Sequence, residues 1–137
     1  MNKNTPTLSP AEALMTVAVL AMDADDCYSP AELQRLRAMA WLHPLFKDID
    51  SVDQLIGQRF ADLRARGRSV LLEEVLRTLG QPLRETAYAW AVELAYADGA
   101  VVPKEHVFLN KLGGIFELPG ALARKIQAVT AIRRRTR

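Results

Sequence analysis

Ser-Pro-Ala-Glu occurs twice in this chain, at 9–12 and again at 29–32. Each copy is a start signal for a helix. Serine caps open backbone amides, proline is tolerated in the first turn, and glutamate reaches back to the cap amide. The rest of the chain is punctuated at similar intervals, with no long alternating pattern of the strand kind. An all-α fold of about seven helices is therefore expected. The first runs from Ser9 to near Asp25 with Leu14, Val17, Ala18 and Ala21 at helical spacing. The second runs from Ser29 to a stop before Pro44. A third starts at Ser51, with Gln54 as box partner, and ends at Gly67. A fourth covers 69–79. The fifth, sixth and seventh start near Pro82, Pro103 and Pro119.

The halves of the chain repeat each other. Asp25 and Asp98 are 73 residues apart, and with that one offset Glu12 meets Glu85, Ala18 meets Ala91 and Val19 meets Val92. Ala24 likewise meets Ala97, Pro30 meets Pro103, Glu32 meets Glu105, Leu36 meets Leu109 and Leu45 meets Leu118. Chance gives roughly two or three such identities at average residue usage, so an internal duplication is expected. One domain, 1–137, would hold repeat halves at about 9–46 and 82–119 around a middle helix pair at about 51–79. The first helix of each half is rich in alanine, which lets backbones approach closely. These two helices are expected at the centre, with Trp41 and Trp90 as bulky core residues around them.

Each repeat carries Asp, six residues, then Glu: Asp25 to Glu32 and Asp98 to Glu105. The Asp ends one helix and the Glu lies in the first turn of the next. A tight corner would bring the carboxylates together, and hard divalent cations such as Ca²⁺ or Mg²⁺ take oxygen ligands of this kind. The candidate metal residues are Asp25, Asp26, Glu32, Asp98 and Glu105. Capping alone also accounts for the glutamates, since Glu12 has the same setting without an acidic corner. The aspartates are harder to explain by architecture. A carboxylate at a helix C-terminus costs roughly 0.3–1 kcal/mol. The corners are not EF-hands. Leu94 and Tyr96 would fall at ligand positions, and Asp26 would replace the required glycine. Metal site and plain helix corner both remain open at this point.

These same segments, LAYADGAVVPKEHVFL and VLAMDADDCYSPAELQRL, resemble the TerB-like, tellurite-resistance family. The N-terminal domain of a membrane-tethered DnaJ-like co-chaperone is also similar. The resemblance implies an all-helical domain with a pseudo-two-fold arrangement and a cytoplasmic stress-response role. It also implies that acidic corner residues bind metal, here Asp25, Glu32, Asp98 and Glu105. The chain departs from the pattern at Asp26, where glycine is usual, and at Val102, where a small polar cap is common.

Other chemistry has little support. His43 and His106 are candidate general bases only by residue type. Ser9, Ser29 and Ser51 are explained as caps, and no phosphate-cradling loop is present. Gly113-Gly114 reads as a point of close packing inside a helix. Lone Cys27 stands among acidic residues, which discourage a thiolate. No apolar run is long enough to cross a bilayer, and MNKNTPT has no apolar signal core, so the expected compartment is the cytoplasm. Net charge is only +2, but the basic residues cluster. Arg133, Arg134, Arg135 and Arg137 form a basic tail, joined by Arg124 and Lys125, with a second group at Arg64, Arg66 and Arg68. Such cations suit nucleic-acid phosphate or an anionic membrane surface. The leading expectation is a non-catalytic module that binds protein partners, including ones at the inner membrane face, and a divalent cation weakly. Anion binding through the tail is the alternative.

Overall fold

The computed structural model describes residues 8–24, 28–99 and 101–136. Their regular structure is all helical: α1 Pro10–Asp23, α2 Pro30–Leu42, α3 Val52–Arg66, α4 Arg68–Thr78, α5 Gln81–Ala95, α6 Pro103–Ile115 and α7 Gly120–Arg133. A short 3-10 turn, Pro44–Phe46, follows α2 and was not legible beforehand. Both Ser-Pro-Ala-Glu boxes form as expected. Ser9 Oγ accepts from the Glu12 amide at 3.1 Å, and Glu12 accepts from the Ser9 amide at 2.8 Å. At Ser51 only one half of a box forms: its hydroxyl accepts from the Gln54 amide.

Helix α1 is the centre of the molecule. It is buried on every side from Ala13 to Met22, because α3, α4 and α5 all pack against it. Its residues are apolar all round rather than along one stripe, the pattern of a fully enclosed helix. Helix α5 lies against α1 and carries α6 and α7 on its other sides. The expectation of two alanine-rich central helices thus holds. The element bounds also keep the 73-residue offset, since α2 shifted by 73 starts and stops where α6 does. The packing is less regular. Helix α6 lies mainly on α5, its neighbour in sequence, whereas α2 lies on α3 and α5 rather than along α1.

Trp41 corrects the sequence expectation. Trp90 is 7% exposed and belongs to the core, but Trp41 is 83% exposed. The buried positions of α2 are Glu32, Leu36 and Ala40, four residues apart, and Trp41 sits one position, about 100°, round from that line. The bulk around Trp90 comes instead from the 3-10 turn and its cap. Phe46 stacks on Trp90 at 5.5 Å and the His43 ring meets it edge-on at 5.6 Å. His43 Nδ1 also accepts from the Leu45 amide, so this histidine serves structure. Neither glycine in α6 is required by close packing: a Cβ on Gly113 would meet the Tyr88 ring at 3.6 Å, an ordinary van der Waals contact, and Gly114 faces open space.

Much of the basic stretch 64–68 is paired. Arg66 bridges Asp62 on α3 and Glu74 on α4. That hydrogen bond from Arg66 holds the Asp62 carboxyl below the usual aspartate range, and Arg59 assists. Arg68 donates to Asp23 at the end of α1.

Candidate functional site: two joined helix corners

The corner between α1 and α2 and the corner between α5 and α6 meet. Ser29 makes the joint. Its hydroxyl accepts from the Glu32 amide at 3.1 Å, as an N-cap does, and donates to Asp98 Oδ1 at 3.0 Å across 69 residues of sequence. Asp98 itself lies in the turn that follows α5 and is exposed. Gly99, next to it, has φ +100°, a backbone setting that glycine adopts at no steric cost. Its amide closes the turn on the Tyr96 carbonyl at 2.9 Å.

The two glutamates are placed as caps. Glu32 is 2% exposed and accepts from the Ser29 amide at 3.2 Å through Oε1. Glu105 is 5% exposed and accepts from the Val102 amide at 3.0 Å through Oε1. Val102 has no side-chain acceptor, so the second corner keeps only this returning half of the box. Each carboxylate therefore stabilises the positive end of its own helix and satisfies the amide of its own cap residue.

Behind the corners lies a feature that sequence reasoning missed. Glu93 on α5 is buried and ringed by three arginines: Arg35 of α2 at 3.7 Å, Arg133 at 3.6 Å and Arg134 at 3.5 Å. Arg134 also donates to the Ala97 carbonyl at 2.8 Å, in the turn that carries Asp98. Part of the basic tail is thus folded into the second corner. The signal was present in the sequence. Glu93 is an acidic residue within an alanine-rich apolar helix, and such a residue needs a partner.

The structure places the expected site residues as follows. Asp98 stands at the joint of the two corners, with Glu32 and Glu105 beneath their helix starts. Asp25 and Asp26 lie outside the described residues, as does Cys27. Among the described residues no three His, Cys, Asp or Glu side chains are grouped so as to hold a metal ion. Of the tail candidates, Arg133 and Arg134 are on Glu93, Arg135 is exposed, and Arg137 lies outside the described residues. His106 is exposed, and the neighbouring Glu105 carboxylate is held by the Val102 amide. No helix among the described residues is long and apolar enough to cross a membrane.

Comparison with curated proteins and comparison with solved structures both returned no match. The likeness to the DnaJ-like co-chaperone domain accordingly gains no support from them. The family described as tellurite resistance protein TerB does match, over residues 11–128. That span runs from the second residue of α1 into α7, with both corners between them, and the chain belongs to the TerB family.

Proposed function

We propose that this chain is a non-catalytic interaction module of a tellurite-resistance type of stress response, and that its two corners act together as one weak divalent-cation site. The observation that carries the reading is the Ser29–Asp98 hydrogen bond, which joins the acidic corners of both halves. Two separate corners would each offer too few oxygens for Ca²⁺, which takes six to eight. A shared site pools them.

The capping geometry narrows the ligand set. Glu32 and Glu105 are buried and engaged at their helix starts, so their role is to hold the corners in shape. Asp98 is the exposed carboxylate at the joint, and Asp25 and Asp26 stand in the sequence just before Ser29, the residue bonded to Asp98. A cation held there would draw the turn after α5 toward the start of α2, and so report on the relation between the two halves. The tail reading is weaker, because Arg133 and Arg134 face Glu93 rather than solvent anions alone.

A calcium and magnesium titration followed by backbone NMR shifts tests this. Shifts should be confined to 23–32 and 96–105, should reverse with chelator, and should shrink in Asp98→Asn. Ligand-linked stabilisation should raise Tm as concentration passes Kd. If millimolar calcium and magnesium move no signal in these segments, the corners are architecture and the cation site does not exist.

A further inference from the structure

Glu93 is a carboxylate in an apolar setting. Its neighbours in α5, Ala91, Val92, Leu94 and Ala95, are all buried. In α1, 73 residues earlier, the matching position holds Leu20, fully buried. A buried carboxylate costs desolvation unless cations meet it. Here the cations come from far away in sequence: Arg35 of α2, and Arg133 and Arg134 at the end of α7. The Arg133 side chain is 69% exposed and that of Arg134 only 20%, so Arg134 is the one drawn in.

Arg134 touches α5 at two points. Its Nη1 lies 3.5 Å from Glu93 Oε2, and its Nη2 donates to the Ala97 carbonyl at 2.8 Å. Glu93 and Ala97 are four residues apart, about one helical turn, so one guanidinium can reach both. The fixed fork of arginine suits such a span, whereas a lysine ammonium is a single point. The Ala97 carbonyl stands just past the end of α5, where the helix dipole favours a cation. The same turn carries Asp98 and is closed by the Gly99 amide on the Tyr96 carbonyl.

We propose that the end of α7 is a charge-held strap across the second corner, and that the turn carrying Asp98 is held in shape while the strap is closed. Two observations support a strap that opens. The guanidiniums lie 3.5–3.7 Å from the Glu93 carboxylate, beyond the roughly 2.7–2.9 Å of a charge-assisted hydrogen bond. Arg66, by contrast, is hydrogen-bonded to Asp62 at 2.6 Å. Contacts that rest on charge without a hydrogen bond, near solvent, weaken as salt screens them. The strap also joins the chain end to one corner alone through a single residue, so its release leaves the buried α1 untouched.

The strap does not depend on the cation site, so its test is run in chelator. The measurement is exchange of the Gly99 amide with water, read by NMR on the full chain. At low salt this exchange should be roughly fivefold or more faster in Glu93→Gln and in Arg134→Ala than in the parent chain. Arg134→Lys, which keeps the charge but loses the fork, should behave like Arg134→Ala. Raising salt to about 1 M should bring the parent to the rate of these variants and leave theirs unchanged. Amides of 14–20 in α1 should exchange alike in every chain, and Arg135→Ala should match the parent. If a variant fails to fold, the salt series on the parent decides alone. Parent exchange at Gly99 that ignores salt would overturn the proposal. So would parent-like exchange in both Glu93→Gln and Arg134→Ala, full protection in Arg134→Lys, or equal acceleration of the α1 amides.

Discussion

At the first corner Ser29 accepts from the Glu32 amide and donates to Asp98, while at the second Val102 offers no side-chain oxygen at all. The glutamates below them are nearly the same. Both are buried and both accept from the cap amide. The surroundings then diverge. Helix α2 leans on α3 and α5 and leaves Trp41 and Leu42 in solvent, whereas α6 lies along α5 and leaves Val107 and Ile115 at a groove. At the second corner a tail arginine is bonded to the turn, Arg134 on the Ala97 carbonyl. Two helix pairs that share bounds at one offset thus keep their helix starts and core leucines while their outer faces differ.

The core leucines give the largest expected effect. Leu36 and Leu109 occupy matching positions, and both are essentially unexposed. Leu36→Ala and Leu109→Ala should each destabilise the fold by about 2–5 kcal/mol, the range for a buried leucine truncated to alanine. Urea unfolding with an unchanged m-value would measure it. Similar losses would support equivalent roles in the two halves. A loss at Leu36 of less than half that at Leu109 would show that the open packing of α2 leaves its core contact replaceable.

The matching helix bounds were readable from the sequence because they rest on local signals. Caps, prolines and the spacing of leucines are short-range, and they fixed seven helices and both corners to within a few residues. The failures were long-range. Trp41 looked like core because it is large and apolar, but its side of the helix is decided by how α2 crosses α3 and α5. The link from Ser29 to Asp98 spans 69 residues, and nothing in either segment announces it. Glu93 was overlooked because its arginine partners come from two distant places: Arg35 in α2, and Arg133 and Arg134 at the end of α7. The basic tail shows the same limit of local signals. Its charge was visible, but the buried carboxylate that two of its members face was not.

The missing cap predicts a smaller, opposite pair of effects. Val102→Ser should complete the box at the second corner and stabilise the fold by roughly 1 kcal/mol, the usual value of a serine N-cap. Ser29→Ala should cost about as much at the first corner, plus whatever the Asp98 bond contributes. Thermal melts of the two variants decide it. If Val102→Ser is neutral or destabilising, contacts of the valine side chain outweigh the cap, and the second corner is held by its apolar packing.

The joint itself should give the smallest change, and the most informative one. Ser29→Ala removes both the cap and the link, while Asp98→Ala removes the link and the carboxylate together. The double variant isolates their interaction, because the cap loss appears in both Ser29 backgrounds and cancels. A coupling of about 0.5–1 kcal/mol is expected for a hydrogen bond to an exposed carboxylate, and it should shrink as salt is raised. Repeating the cycle in the presence of calcium sharpens the comparison between corners. If Asp98 is drawn onto a cation shared by both halves, the coupling should change when the ion is added. Coupling near zero under both conditions would mean that the two corners are neighbours without being joined, and the shared cation site would lose the geometry on which it depends.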